Sequence, residues 1–189
     1  DGIIVAPGFG DRGIEGKIIA INYIRKNKIP FFGICLGMQC ASIEFAKNVL
    51  KLKDSDSYEF NKKTKNPVIN LMEDQINIKN KGGTMRLGSY ECEISKNSIA
   101  RKAYKKSSIN ERHRHRFEFN NKYLNEFIDN GMMVTGINKK HNLVEIIELK
   151  NHPWFLATQY HPEYKSTVLN PHPLFISFVK KIKEIKNGQ

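Results

Sequence analysis

The stretch Pro30-Phe31-Phe32-Gly33-Ile34-Cys35-Leu36-Gly37 decides the fold, because it joins an apolar run to a helix-forming segment. Its first half is aromatic and β-branched and opens with proline, which is typical of a short buried strand. Over residues 36–50, apolar side chains recur at helical spacing with no proline, which predicts a helix. Cys35 therefore lies where a strand turns sharply into a helix, and Gly33 and Gly37 relieve the crowding at that turn.

The position of Cys35 indicates a nucleophile. The G-x-C-x-G pattern follows the logic of the nucleophile elbow of G-x-S-x-G enzymes, with Cys in place of Ser. A helix N-terminus offers the positive end of the macrodipole and free backbone N–H groups, so we expect the thiolate to be favoured. The N–H of Leu36 is placed to donate to an oxyanion. A lone cysteine in an apolar stretch is more often a small buried hydrophobe, so the pentapeptide alone leaves that alternative open.

A second motif, Gln159-Tyr160-His161-Pro162-Glu163, supplies what a cysteine nucleophile needs. Such a nucleophile requires a base, and the base requires a group that orients it. His161 and Glu163 are residues of these types, two positions apart. Pro162 disfavours a helical backbone at His161, so an extended segment can project both side chains to one side. The two motifs together predict a Cys35–His161–Glu163 triad.

With this triad, the chain resembles the class I glutamine amidotransferases, which use Cys, His and Glu. The resemblance implies an α/β fold over residues 1–189: a three-layer, flavodoxin-like arrangement with a mostly parallel central sheet and flanking helices. The matching segments occur in the family's order and span nearly the whole chain. They are Gly8-Phe9-Gly10-Asp11-Arg12-Gly13, Gly33-Ile34-Cys35-Leu36-Gly37-Met38-Gln39, Gly82-Gly83-Thr84-Met85-Arg86-Leu87-Gly88, Glu111-Arg112-His113-Arg114-His115-Arg116-Phe117-Glu118 and His161-Pro162-Glu163.

The resemblance also implies how L-glutamine is bound. The oxyanion hole would be formed at Gly8 and Leu36, although the chain has Ala6-Pro7 before Gly8 where the family usually has Pro-Gly. Glu59 would bind the α-ammonium group and Arg116 the α-carboxylate, for which a guanidinium fork is well suited. The remaining substrate contacts would come from the start of the elbow helix, at Gly37, Met38 and Gln39.

The third and fourth matching segments indicate the branch of the family in which an N-terminal synthase domain uses the ammonia. We therefore expect the chain to be a fragment without that domain, which would carry the ATP, Mg²⁺ and UTP sites. GTP would act as an allosteric activator, and the full-length enzyme would be a homotetramer. Residues 73–81, which are polar and followed by Gly82-Gly83, would form a mobile lid. No cofactor or metal is expected in this domain.

Composition limits the remaining possibilities. With 189 residues, the chain fits one domain, and an odd count of three cysteines does not suggest a disulfide framework, so we expect a cytoplasmic protein. The absence of a long apolar run argues against a membrane span. The net charge of +12 is compatible with nucleic-acid binding, but the lysines are scattered among asparagines without interleaved aromatic residues. A solvated basic surface is the preferred interpretation.

Local patterns predict the other elements. Residues 54–60 are polar and typical of a turn. The alternation in residues 112–116 places three arginines on one strand face and two histidines on the other, with Glu118 as a candidate partner for one of these arginines. The apolar stripe of the last helix, which includes Val179, is expected in the core. We expect strands at 2–5, 68–72, 84–94, 132–137, 143–149 and 153–160, and helices at 14–26 and 174–185.

Two other functions remain open from the sequence. One is a different thiol hydrolase on the same fold, such as a γ-glutamyl peptidase. Glu59 and Arg116 argue for free glutamine instead, because together they would bind both α-groups. The other is a non-catalytic domain that only assembles with a partner, against which the intact triad argues.

Overall fold

A computed structural model describes residues 1–71 and 85–188 of the chain. The lid predicted at 73–81 lies outside these residues. The strands are β1 (Ile3–Val5), β2 (Phe31–Ile34), β3 (Ser55–Ser57), β4 (Asn66–Asn70), β5 (Arg86–Ile94), β6 (Ser108–His115), β7 (Glu118–Phe119), β8 (Met132–Asn138), β9 (Leu143–Leu149) and β10 (Phe155–Thr158). The helices are α1 (Ile14–Lys26), α2 (Leu36–Asn48), α3 (Ile99–Tyr104), α4 (Leu124–Asp129) and α5 (Pro173–Asn187), with 3₁₀ turns at Asn121–Tyr123 and Pro162–Lys165.

The main sheet has the strand order β1-β2-β10-β9-β8-β5-β6. β1, β2 and β10 run parallel to one another. The other described pairings of this sheet are antiparallel. The parallel part therefore comprises β1, β2 and β10, fewer strands than the resemblance implied. A smaller sheet, β3-β4-β7, lies beside it. The carboxyl ends of β2 and β10 meet at one edge, which brings Cys35 near the segment that leads to His161.

Side chains that alternate along β2 and β10 build the two sides of the core. Phe31 packs on Phe155, with ring centroids 4.4 Å apart, on the side covered by α1 and α2. Phe32 packs on Trp154 at 5.6 Å, on the side covered by α3 and α5. Both strands are buried on both faces, as expected of parallel strands between helical layers. The predicted three-layer α/β class is confirmed.

Two local expectations were wrong. The segment 54–60 contains strand β3, because parallel pairing with β4 holds this polar stretch extended. The helix after Cys35 ends at Asn48 and not at residue 50, since the N–H groups of Val49 and Leu50 both donate to the Phe45 carbonyl. The short helices α3 and α4 were not foreseen.

The last helix has a narrower buried stripe than its sequence suggested. Leu174 and Phe178 are buried, whereas Phe175 and Ile182 are only partly covered. Val179 is 48% exposed, so its assignment to the core was wrong. In the described part of the chain, no helix combines the length and the apolar character that a membrane crossing requires.

Candidate active site

The backbone of Cys35 has the unusual geometry of a nucleophile elbow. Its φ and ψ are 52° and −100°, a conformation that a residue with a side chain rarely adopts. A Cβ on Gly33 would lie 2.8 Å from the Cβ of Ala157, and a Cβ on Gly37 would collide with the carbonyl oxygen of Val5. Both glycines are therefore required for the elbow to pack against the neighbouring strands, as the sequence predicted.

The Cys35 thiol is 3% exposed, and the backbone N–H of Cys35 donates to the Thr158 carbonyl at 2.7 Å. Burial raises the pKa of this thiol to about 12, although a hydrogen bond from the Leu36 N–H acts to lower it. The carboxylates of Glu118, Glu163 and Glu59 raise this pKa further. The expectation of a thiolate was therefore wrong for this state, because desolvation outweighs the helix N-terminus. The sulfur keeps its proton until a base accepts it.

His161 and Glu163 form a hydrogen-bonded pair just beyond β10. Nδ1 of His161 lies 2.5 Å from Oε1 of Glu163, and the backbone N–H of His161 donates to the Arg112 carbonyl at 2.8 Å. Since a carboxylate accepts, Nδ1 carries the hydrogen and leaves Nε2 of the neutral ring as an acceptor. Nε2 is buried and has no hydrogen-bond partner within residues 1–71 and 85–188. The ring is also stacked on Tyr164, with the centroids 4.7 Å apart.

A cavity of about 110 Å³ opens at Cys35. It contains five of the predicted site residues, together with four that the sequence interpretation did not single out. The lining residues are Gly8, Phe9, Cys35, Gln39, Glu59, Met85, His115, Arg116 and Phe117. A Cβ on Gly8 would lie 3.1 Å from Cδ2 of Leu36, so the loop after β1 packs closely on the start of α2.

Glu59 and Arg116 bring opposite charges to the wall of this cavity. Burial raises the pKa of Glu59, while Arg116 and the Gly10 N–H counteract the rise. Arg116 follows the end of β6, in which Arg112 is exposed and the histidines are buried, as the predicted alternation requires. An acidic and a basic group in one small cavity can bind the ammonium and carboxylate groups of a free amino acid.

Of the other predicted substrate contacts, which lie on the first turn of α2, only one reaches the cavity. Leu36, Gly37 and Met38 are buried but do not line the cavity, and the Met38 side chain packs in the core on the α1 side. Gln39 reaches the cavity, yet its Nε2 donates to the Phe117 carbonyl at 3.1 Å and to Oε1 of Gln159 at 3.4 Å. Its contribution to substrate binding is therefore limited to its remaining oxygen.

A buried polar cluster lies behind the cavity. Arg86 contacts Glu145 at 2.6 Å and Glu118 at 3.3 Å, and Nδ1 of His113 lies 2.9 Å from Nε2 of His115. The expected pairing of Glu118 with an arginine of 112–116 was wrong, because Glu118 turns inward to Arg86. Burial raises the pKa of Glu118 to about 8, and Glu145 adds to this shift while Arg86 opposes it.

Potential metal ligands do not cluster in the described ranges: no group of three or more His, Cys, Asp or Glu side chains there could hold an ion. The expectation of a metal-free domain stays a prediction.

The profile of the class-I glutamine amidotransferases matches residues 1–181. The chain belongs to this family. It is 62% identical over 189 residues to the CTP synthase of Cytophaga hutchinsonii, covering 100% of this chain and 35% of that protein. It is 61% identical over 184 residues to the CTP synthase of Christiangramia forsetii, covering 97% and 34%. The chain therefore spans about a third of the length of these relatives.

Solved structures show the same similarity. The glutaminase domain of Trypanosoma brucei CTPS with bound acivicin superposes with a TM-score of 0.91 at 39% identity, covering 97% of this chain and 71% of that one. A glutamine amidotransferase from Thermotoga maritima has a TM-score of 0.56 at 15% identity, covering 85% and 55%, which shows a shared fold alone.

Proposed function

We propose that the chain is the glutaminase domain of a CTP synthase, which hydrolyses L-glutamine through a thioester on Cys35. The ammonia would serve the ATP-dependent amination of UTP. The observation that carries this proposal is the cavity in which Cys35 lies with Glu59 and Arg116. The similarity to a CTPS glutaminase domain that binds acivicin, a glutamine analogue, supports it.

Substrate binding uses the two charged residues of the cavity wall. Arg116 binds the α-carboxylate of glutamine and Glu59 binds its α-ammonium group, which leaves the side-chain amide to reach Cys35. Recognition of both α-groups favours free glutamine over a γ-glutamyl peptide. The substrate ammonium also offsets the negative charge of Glu59, one of the carboxylates that raise the pKa of the Cys35 thiol.

Thioester formation begins when Nε2 of His161 accepts the thiol proton, and the sulfur of Cys35 attacks the amide carbon. Glu163 orients the ring and stabilises its charged form. The N–H groups of Gly8 and Leu36 hold the oxyanion. His161 then returns the proton to the leaving nitrogen, the C–N bond breaks, and ammonia departs. Finally, a water molecule loses a proton to His161, attacks the thioester carbon, and releases glutamate and the thiol.

The full-length enzyme would place this domain beside an N-terminal synthase domain. That domain would bind ATP, Mg²⁺ and UTP and receive the ammonia, and GTP would activate glutamine hydrolysis. A homotetramer in the cytoplasm, without nucleic-acid or membrane partners, is part of the same proposal. The share of the relatives' length that this chain spans, about a third, leaves room for such a domain.

The decisive experiment is the variant Cys35→Ala, assayed for glutamate release from L-glutamine. We expect a loss of at least about a thousand-fold, because neither half-reaction can form its covalent bond without the sulfur. Cys40→Ala is the matched control, since Cys40 is a buried cysteine on α2, the helix that Cys35 precedes. Glutamate release by a folded Cys35→Ala protein at the unmodified rate would refute the proposal.

A further inference from the structure

Gln159 places a side-chain amide beside the reactive sulfur. It follows the last residue of β10, its side chain is fully buried, and its backbone N–H donates to the Glu145 carbonyl at 2.9 Å. Its Nε2 lies 3.7 Å from Sγ of Cys35, within hydrogen-bonding distance for sulfur. None of the roles described above uses this group.

The orientation of the Gln159 amide follows from a backbone group whose polarity is fixed. The Phe117 carbonyl can only accept, so the Gln39 atom 3.1 Å from it must be the NH₂ group. The same NH₂ group lies 3.4 Å from the Gln159 side chain and must face its oxygen. The NH₂ group of Gln159 is then the part that points to Cys35, so the contact with sulfur is a donated hydrogen bond.

We propose that Gln159 is a further catalytic residue, whose side-chain N–H donates to Sγ of Cys35 and stabilises the thiolate as His161 removes the proton. The proposal rests on the proposed function only in taking Cys35 as the nucleophile. The Phe117 carbonyl and Gln39 anchor the donor, so little reorganisation is needed when the charge develops.

The surroundings of Sγ of Cys35 provide little other stabilisation for a thiolate. Cys35 is 3% exposed, so little water reaches a thiolate there, and the carboxylates that act on it disfavour negative charge. Among the described residues, the Leu36 N–H also donates to the sulfur, and it is expected to bind the oxyanion as well. Once the oxyanion forms, Gln159 can remain with the sulfur while Leu36 serves the oxygen.

The test is the rate of Cys35 alkylation by iodoacetamide, measured by peptide mass spectrometry between pH 6 and 10 without glutamine. Gln159→Met retains side-chain length without the N–H donor. We expect the profile of alkylation rate against pH to shift by about one pH unit to higher pH in this variant, so that alkylation at a given pH is ~10-fold slower. Gln159→Asn, whose shorter amide cannot reach the sulfur, should shift the same way. Glu59, Glu118, Glu163 and His161 are unchanged in both variants.

Asn138→Leu is the matched control. Asn138 is the last residue of β8, two strands from β10 in the sheet. The substitution removes another buried side-chain amide, which donates to the Glu91 carbonyl at 2.7 Å. It should lower stability but leave Cys35 alkylation unchanged. A merely structural role for Gln159 predicts faster alkylation, because loosened packing exposes the thiol. An unchanged or faster rate in a folded Gln159→Met or Gln159→Asn protein would overturn the proposal.

The assay also separates this inference from the proposed function. If the unmodified chain releases no glutamate but Gln159→Met still slows alkylation, the hydrogen bond to sulfur stands and the proposed function fails. If glutamate is released and neither variant slows alkylation, the proposed function stands and the role of Gln159 is rejected.

Discussion

At the scale of single residues, Arg116 and Glu59 are the proposed recognition pair, because they bring opposite charges to a small cavity. We predict that Arg116→Ala raises the KM for glutamine by roughly one to two orders of magnitude, since the substrate carboxylate loses a charged partner worth about 1.5–3 kcal/mol. Steady-state glutamate release measures this. Arg112→Ala, which removes an exposed arginine of β6, is the control and should leave KM unchanged.

A blocked substrate tests the other charge. Glu59→Ala should weaken the binding of glutamine much more than the binding of a glutamine blocked at the α-amino group. The reason is that only the free ammonium group interacts favourably with the carboxylate. An equal loss of apparent affinity for the two substrates would exclude the contact between Glu59 and the α-ammonium group.

Some of these residues could be found from sequence and others could not. Cys35, His161 and Glu163 stand in short motifs whose spacing already implies their chemistry. Gln159 belongs to the second motif, but its contact with Cys35 depends on a partner 124 residues away. Glu118 was assigned to the wrong arginine for the same reason, because β5 brings Arg86 to it from a distant segment.

At the scale of elements, the strand-to-helix turn depends on the absence of a side chain at Gly37. Gly37→Ala places a methyl group against the Val5 carbonyl, and we expect a loss of about 1–3 kcal/mol in the free energy of unfolding. Urea denaturation measures this loss.

Gly16→Ala is the control for Gly37→Ala. Gly16 lies in α1 with nothing within 4 Å of an added Cβ, so alanine should stabilise the chain by roughly 0.5–1 kcal/mol. If both variants change stability by the same amount and sign, the close approach at Gly37 is not important.

Elements with local signals were predictable, and those held by distant groups were not. The hairpin of β8 and β9 has two runs rich in apolar residues on either side of a polar turn and was found at nearly its observed bounds. Helix α3 begins where the N–H groups of Ile99 and Ala100 donate to the Glu148 carboxylate at 2.8 and 3.0 Å. Glu148 lies in β9, so the local sequence contains only part of this cap, namely Ser98, whose Oγ accepts from the Arg101 N–H at 2.9 Å.

At the scale of the whole molecule, the buried cluster behind the cavity makes stability depend on pH. The pKa of Glu118 is about 8 in the folded chain against an ordinary value of 4.5, so the folded state holds an extra proton between these values. Stability conferred by this proton is lost as pH rises. The pKa of His115 is lowered to about 3 by burial, which has the opposite effect below pH 6.5. The informative window is therefore pH 6.5–8.

We predict that Glu118→Gln flattens the decline of unfolding free energy between pH 6.5 and 8, because glutamine has no proton to lose. Denaturant titrations at several pH values measure this slope. Glu15→Gln, an exposed change on α1, should follow the unmodified chain. A decline as steep in Glu118→Gln as in the unmodified chain would show that another group controls it.

The place of β10 between β2 and β9 has a consequence for the order of events during synthesis on the ribosome. Cys35 is translated well before β10, the strand that completes its surroundings. Until β10 inserts, the proposed nucleophile has no base beside it, the sheet is open beside β2, and the loop to be closed is long. On the proposed function, glutamine hydrolysis can begin only after β10 has emerged and inserted, so activity would report completed folding of the site.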